Sequence, residues 1–289
     1  MKRSKGVLLY TLISAVVALI ITMVSDNAKD YTSPDSYAES SPLAVHFIDV
    51  GQGDSVYIKL PDGRDMLIDA GETEDKGVVA SYLADHGAES LDFVVGTHPH
   101  EDHIGGLAYV LNRFGADVLY MPDAYSSTKS FEELLDAIEK NGTDTRIARK
   151  GVEIAKGEDY SVQILSPVSK SYEETNNYSA VVRIEYGDTA FLFMGDAEKY
   201  AEQELLDSHI DLRADVLKVG HHGSSTSSHE DFVKAVNPSV AVISSGKDNS
   251  YGHPHKEVVT LLDKLDITTL RTDVLGTVVV GSNGSEIIY

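Results

Sequence analysis

Thr97-His98-Pro99-His100-Glu101-Asp102-His103 sets three imidazoles and a carboxylate into six positions, directly after an apolar run at 91–95 that reads as a buried strand. Neutral imidazole nitrogen and carboxylate oxygen are ligands of first-row metals, and a turn at a strand end can aim several side chains into one cavity. A solvated, histidine-rich turn is the plain alternative. It would need three histidines, an aspartate and Gly105-Gly106 to fall together by chance. The expected content of the stretch is therefore a metal site, and the remaining donors must come from elsewhere in the chain.

Seven of the 11 histidines fall in three short loops after predicted strands: His98, His100 and His103, then His221 and His222, then His253 and His255. His46, His86, His209 and His229 lie outside these loops and read as structural or solvated. A predicted strand at 190–194 ends in Gly195-Asp196 and opens into a helix at 198–207, so Asp196 occupies a corner where a carboxylate either caps the helix or reaches a metal. A strand at 216–219 delivers Gly220-His221-His222-Gly223-Ser224-Ser225. Behind it, Ser227 and Glu230 have capping-box spacing for a helix at 231–236, whose N-terminus would suit a phosphate or carboxylate. Upstream, strands at 43–49, 55–60 and 65–69 surround Gly51-Gln52-Gly53-Asp54, a tight loop expected to approach another backbone closely. Asp69 closes the third strand, where it can hydrogen-bond backbone amides beneath a site.

The remaining periodicity predicts helices at 78–86, 104–114, 131–140 and 256–265, and strands at 118–121, 152–154, 162–165, 180–186, 239–244, 268–271 and 277–281. Strands alternate with helices throughout, as in a layered α/β or α+β domain. Lys2, Arg3 and Lys5 precede an apolar segment at 7–24, about the length that spans a bilayer, with the basic flank kept inside. Residues 1–24 are read as a signal-anchor, 25–41 as a linker rich in Ser, Asp, Tyr and Pro, and 42–289 as the folded domain. That places the domain outside the cell, tethered to the membrane; cleavage near 24–28 would make it secreted. A net charge of −22 argues against a broad electrostatic grip on nucleic acid, and the absence of cysteine excludes thiolate zinc sites.

The order His-x-His-x-Asp-His, then Gly-Asp, then Gly-His-His-Gly-Ser resembles the metallo-β-lactamase superfamily. Phe47-Ile48-Asp49-Val50-Gly51-Gln52-Gly53-Asp54-Ser55, Lys218-Val219-Gly220-His221-His222-Gly223-Ser224 and Ser250-Tyr251-Gly252-His253-Pro254-His255 resemble, more narrowly, the hydrolase domain of ComEC-type competence proteins. The resemblance implies a four-layer αββα sandwich holding two divalent metal ions, zinc or manganese. His98 and His100 would hold the first, Asp102 and His103 the second, and Asp196 would bridge them. One of His221 and His222 would complete the second position, His221 being favoured because it follows the strand directly. Asp102, His222 and His253 would be catalytic, while Asn177, Ser224, Ser225 and His255 would bind substrate. Asp69, Gln52 and Asp54 would support the site from behind.

The family's further histidine between the opening cluster and Asp196 is missing here, and Asn176-Asn177-Tyr178-Ser179 occupies that region. The first metal is therefore expected to have the poorer set of ligands. The implied activity is an exported phosphodiesterase or nuclease acting on DNA or another phosphodiester through a metal-activated hydroxide. Small phosphodiesters or wall-polymer headgroups, a lactone or β-lactam, and a non-catalytic binding role are the other readings. No obligate protein partner is evident.

Overall fold

The computed structural model describes residues 38–289. The predicted anchor and nearly all of the linker lie outside the described residues. Among those described, no helix is long and apolar enough to cross a membrane.

The chain enters through three short strands, β1 (Leu43–Phe47), β2 (Val56–Lys59) and β3 (Asp65–Ile68), joined antiparallel. Helix α1 (Lys76–Asp85) then crosses over to β4 (Phe93–Val95), which lies parallel to β3. Two helices follow, α2 (Glu101–Ile104) and α3 (Leu107–Phe114), and lead to β5 (Val118–Met121). Helix α4 (Lys129–Asn141) leads on to β6 (Asp144–Ile147). The second half contains β7 (Val152–Lys156), β8 (Tyr160–Ser166), β9 (Val181–Tyr186) and β10 (Thr189–Phe193). Helices then alternate with strands: α5 (Lys199–Asp207), β11 (Val216–Lys218), α6 (Glu230–Val236), β12 (Val240–Ile243), α7 (Lys256–Lys264) and β13 (Thr268–Arg271). Helix α8 (Thr272–Leu275), β14 (Val278–Ser282) and β15 (Ile287–Ile288) close the domain.

The strands form two sheets, eight in the order β15-β14-β1-β2-β3-β4-β5-β6 and seven in the order β13-β12-β11-β10-β9-β8-β7. Alternation along each strand decides what each face buries. Val45, Phe47, Ile58, Met66, Ile68, Phe93 and Val95 meet Val162, Ile164, Val182, Phe191 and Phe193 in a core between the sheets. The intervening Tyr57, Leu67 and Val94 point the other way, onto Val79, Leu83, Leu107, Val110, Phe131 and Leu134 of α1, α3 and α4. Leu192 and Leu217 likewise face α5 and α6 through Ala201, Leu205 and Phe232. Helices therefore cover the outer face of each sheet, as the mixed α/β reading requires.

The differences from the sequence reading are local. A single helix at 104–114 was expected, but the ligand-rich stretch itself forms the first turn, α2, and the helical hydrogen bonding is interrupted at Gly105-Gly106, where the Gly106 amide donates to the Gly71 carbonyl at 3.0 Å. Glycine is a packing requirement there: a Cβ on Gly106 would lie 2.2 Å from the Ala70 carbonyl oxygen, and one on Gly105 2.5 Å from the Thr73 nitrogen. Strand β6 escapes periodicity because all four of its residues are exposed and it adds to the sheet only through β5.

His46 on β1 faces the helical layer, 1% exposed, with Nδ1 2.9 Å from the Tyr82 hydroxyl. Burial, then His86 and Lys59, lower its pKa from 6.5 to about 3. A base whose folded pKa is depressed stabilises the fold above its unfolded pKa, and that contribution drains away as pH falls toward the folded value. Between pH 7 and 5 the loss is about 2 kcal/mol. The unfolding free-energy gap between wild type and His46→Gln, from urea titrations at both pH values, should narrow by about that amount at pH 5; a gap that stayed constant would show that His46 does not carry the acid sensitivity.

Candidate metal centre

Strands β3, β4 and β5 run parallel in one sheet, and β10, β11 and β12 run parallel in the other. Parallel strands end on a common edge, where α/β sheets gather their functional loops. Asp69 follows β3, His98–His103 follow β4, Asp196 follows β10, His221 and His222 follow β11, and His253 lies in the loop after β12.

The Asp196 carboxylate, 2% exposed, stands at the centre. Its Oδ1 lies 3.2 Å from His103 Nε2 and 3.5 Å from His222 Nε2, while its Oδ2 lies 3.9 Å from His98 Nε2 and 3.7 Å from His221 Nε2. Asp102 Oδ2 joins the first group, 3.2 Å from His222 Nε2 and 3.8 Å from His103 Nε2. His100 joins the second through a 3.0 Å contact between its Nδ1 and His98 Nε2. One donor atom from each of Asp102, His103, Asp196 and His222 lies within 4.8 Å of all the others. His103 Nε2 and Asp196 Oδ1 are both buried with no hydrogen-bond partner. Two buried lone-pair atoms converging on one point are costly unless something positive sits between them, so the residues present fit a divalent cation.

This geometry differs from the sequence reading in one respect that matters. His222, not His221, stands with Asp102 and His103; His221 stands on the His98 and His100 side, where the third imidazole was expected to be missing. The cause lies in the backbone. Both residues adopt left-handed φ/ψ, His221 at 47°, 48° and His222 at 53°, 24°, so the sequence order does not set which side chain turns inward. Rings of adjacent residues thus diverge to opposite sides of Asp196, with centroids 6.0 Å apart.

The groups behind the donors fix their orientation. Asp69 accepts hydrogen bonds from the Thr97 amide (2.8 Å), the Thr97 hydroxyl (2.7 Å) and His103 Nδ1 (2.8 Å), which turns His103 Nε2 toward Asp196. His222 Nδ1 lies 3.1 Å from the Ser244 carbonyl and 3.3 Å from Asp54 Oδ1. Asp54 in turn pairs with Lys218 Nζ at 2.8 Å, a fully buried ion pair between the two sheets. The Gly-Gln-Gly loop makes the close approach expected of it. A Cβ on Gly53 would lie 2.4 Å from the Asp102 carbonyl oxygen, and Gln52 Oε1 accepts from the Gly246 amide at 3.1 Å.

Charge follows from this crowding. Burial alone would lower the pKa of His103, but Asp196, Asp102 and Asp69 hold it well above its ordinary value. Burial likewise opposes, and Asp196, Asp54 and Asp102 overcome, to lift His222 to about 10. Asp196 stays well below the carboxylate range: burial opposes ionisation, and His222, His103 and His98 outweigh it. A cation entering the site takes the place of the imidazole protons. His253 goes the other way. Burial, His222, His221 and His255 lower it to about 4, so it is a neutral imidazole near pH 7.

Several expected substrate contacts have other partners. Asn177 is buried and its side-chain oxygen accepts from the Glu198 and Ala201 amides, capping α5; its neighbour Asn176 reaches the site, with Nδ2 3.4 Å from His221 Nδ1. Ser224 is buried, its hydroxyl 3.1 Å from that of Thr226. Ser225 and His255 bind each other, the Ser225 amide donating to His255 Nδ1 at 2.9 Å. The capping box is absent: Ser227 donates to Gly220 and Ser224 carbonyls, and the buried Glu202 carboxylate accepts from the Ser228 and His229 amides. The Glu202 carboxylate thus occupies the two amides that lead into α6. Asn176, Lys218 and Glu202 are the contributors that sequence reasoning missed. For Lys218 a signal existed, a lone lysine inside an apolar strand.

Residues 48–247 match the Metallo-beta-lactamase superfamily. The chain is 35% identical over 256 residues to ComE operon protein 3 of Bacillus subtilis, covering 83% of this chain and 33% of that protein. It is 32% identical to competence protein ComA of Neisseria gonorrhoeae, covering 84% and 33% respectively. The chain thus spans about a third of the length of these relatives. Among solved structures, Igni18, a metallo hydrolase of the archaeon Ignicoccus hospitalis, aligns with a TM-score of 0.54 at 19% identity, covering 82% of this chain and 98% of that one. Fold, donor constellation and sequence agree, and the chain belongs to the metallo-β-lactamase superfamily.

Proposed function

We propose that this metal-dependent hydrolase cleaves phosphodiesters, nucleic acid among them, using two divalent cations held on either side of Asp196. The observation that carries the reading is the division of that carboxylate: Oδ1 faces His103 and His222 with Asp102, and Oδ2 faces His98 and His221 with His100. When bound, such cations supply Lewis-acid activation of water and neutralise an anionic substrate. The donor set, imidazole with carboxylate, suits zinc and leaves manganese compatible. His221, rather than Asn177, would furnish the third imidazole on the His98 side.

The chain's own groups divide the remaining work. Asp102 is partly exposed; with Oδ2 turned to His222, its other oxygen is available to accept a hydrogen bond from an attacking water and orient it. His253, neutral and adjacent to both His221 and His222, can donate an N–H hydrogen bond to a substrate oxygen. Asp69 and Asp54 hold His103 and His222 in their tautomers. Water is excluded from below by the buried Thr97, His98 and Ser179.

Preference for a diester over a lactone or β-lactam draws on the competence proteins the chain resembles and on its doubled cation site, which matches a doubly coordinated phosphoryl group. The acidic surface favours a short or single-stranded substrate over a long duplex groove. The full chain, loaded with zinc or manganese, should hydrolyse a chromogenic phosphodiester and single-stranded DNA and leave a β-lactam intact. Turnover of the lactam with no turnover of either diester would remove the proposal. Export and anchoring through residues 7–24 rest on the sequence, and protease shaving of intact cells tests them.

A further inference from the structure

The loop after β12 carries an aromatic ring that neither the metal centre nor the core uses. Tyr251 is 68% exposed, yet the backbone that presents it is tightly held. Asn249 accepts from the Tyr251 and His253 amides at 3.2 and 3.0 Å, and its own amide group donates to the Gly246 and His253 carbonyls. Ordering the backbone beneath an exposed ring costs conformational entropy. The ring lies stacked on His253, centroids 5.7 Å apart and planes 20° from parallel. His253 itself stands 5.5 Å from His221 and 6.2 Å from His222. A file of planar groups therefore leads from the metal centre to solvent and ends in Tyr251, for which no other ring contact exists among the described residues.

We infer that Tyr251 is a stacking platform for the nucleobase next to the scissile phosphodiester. The inference rests on the diesterase reading and adds a subsite to it. Its neighbours Asp248, Asn249, Ser250 and Gly252 are polar or small, so this is a single exposed plane and not an apolar patch of the kind that docks a protein. A base has the complementary shape, and every base presents a π-face, so the platform tolerates any sequence. Exposed Lys256 opens the helix that follows the loop and offers a cation for a backbone phosphate. The neighbouring cleft sets Lys247 among Asp49, Asp75 and Asp273, so its lining is net acidic and disfavours phosphate. A strand approaching the metal centre would meet less repulsion over Tyr251 than along that cleft.

Tyr251→Ala should lower the enzyme's preference for a thymidine dinucleotide over its abasic counterpart by about tenfold, read as the ratio of KM values, with Tyr251→Trp restoring it. An equal KM change on both substrates would mean that the ring only shields His253, and would overturn the inference. A second readout is independent of turnover. The chain has no tryptophan, so Tyr251→Trp introduces a lone indole at this position. Its fluorescence should be quenched by oligothymidylate and not by an abasic oligomer of equal charge; no difference between the two would also overturn the inference. Quenching without any diester hydrolysis would retain the subsite and remove the diesterase reading.

Discussion

Replacing Asp196 with alanine is expected to lower phosphodiester turnover by on the order of a thousandfold, the scale set by losing a group that acts at the reacting centre. It is also expected to leave the chain short of its full cation content. Among the described residues no other carboxylate divides its oxygens in this way: one faces His103 and His222, the other His98 and His221. His222→Ala and His221→Ala serve as contrasts. Each should lose one position and retain the other, measurable as metal content by mass spectrometry on the folded chain. Thermal unfolding separates loss of the site from loss of the fold. Turnover of Asp196→Ala within about tenfold of wild type would sink the two-position scheme, since a shared ligand cannot be that dispensable.

The largest expected effect on stability comes from Lys218→Met. Lys218 is 1% exposed and Asp54 3%, and their ion pair is 2.8 Å long. Removing Lys218 leaves the buried Asp54 carboxylate with His222 as its one remaining ion-pair partner among the described residues, a loss of about 3 kcal/mol. The hydrogen bond from Nζ to the Val219 carbonyl is lost as well. Asp54→Asn combined with Lys218→Met removes both charges and should recover most of the loss, because the cost lies mainly in the unpaired charge and not in the pair's net worth. Urea unfolding of the two single variants and the double variant gives the coupling directly. A cost below about 1 kcal/mol for Lys218→Met would mean that water or another cation reaches Asp54.

The convergence of the candidate metal donors was largely legible because the donor types crowd into short loops after apolar strands. Asp196 could be found for the same reason: a strand ended in Gly-Asp, and the carboxylate proved free of the capping duty that Asn177 performs. The order of His221 and His222 was not legible. Side-chain direction there depends on two consecutive left-handed residues, a choice set by the surrounding loop and not by residue type. Asn177 was misread for a related reason, since adjacent asparagines on a 3-10 turn face different partners. Lys218 with Asp54, and Glu202 with Ser228 and His229, join residues far apart in the chain, and no local pattern reports such pairs. Strand β6, wholly exposed, lacked the alternation that periodicity needs.

His221 and His222, turned apart by their shared left-handed backbone, have a thermodynamic consequence. A single peptide unit joins the two rings, one on each side of Asp196. On the two-cation proposal, filling one position would therefore shift the ring that serves the other, and by reciprocity each cation would alter the other's affinity by the same factor. Two neighbouring binding steps would then be read as one linked equilibrium.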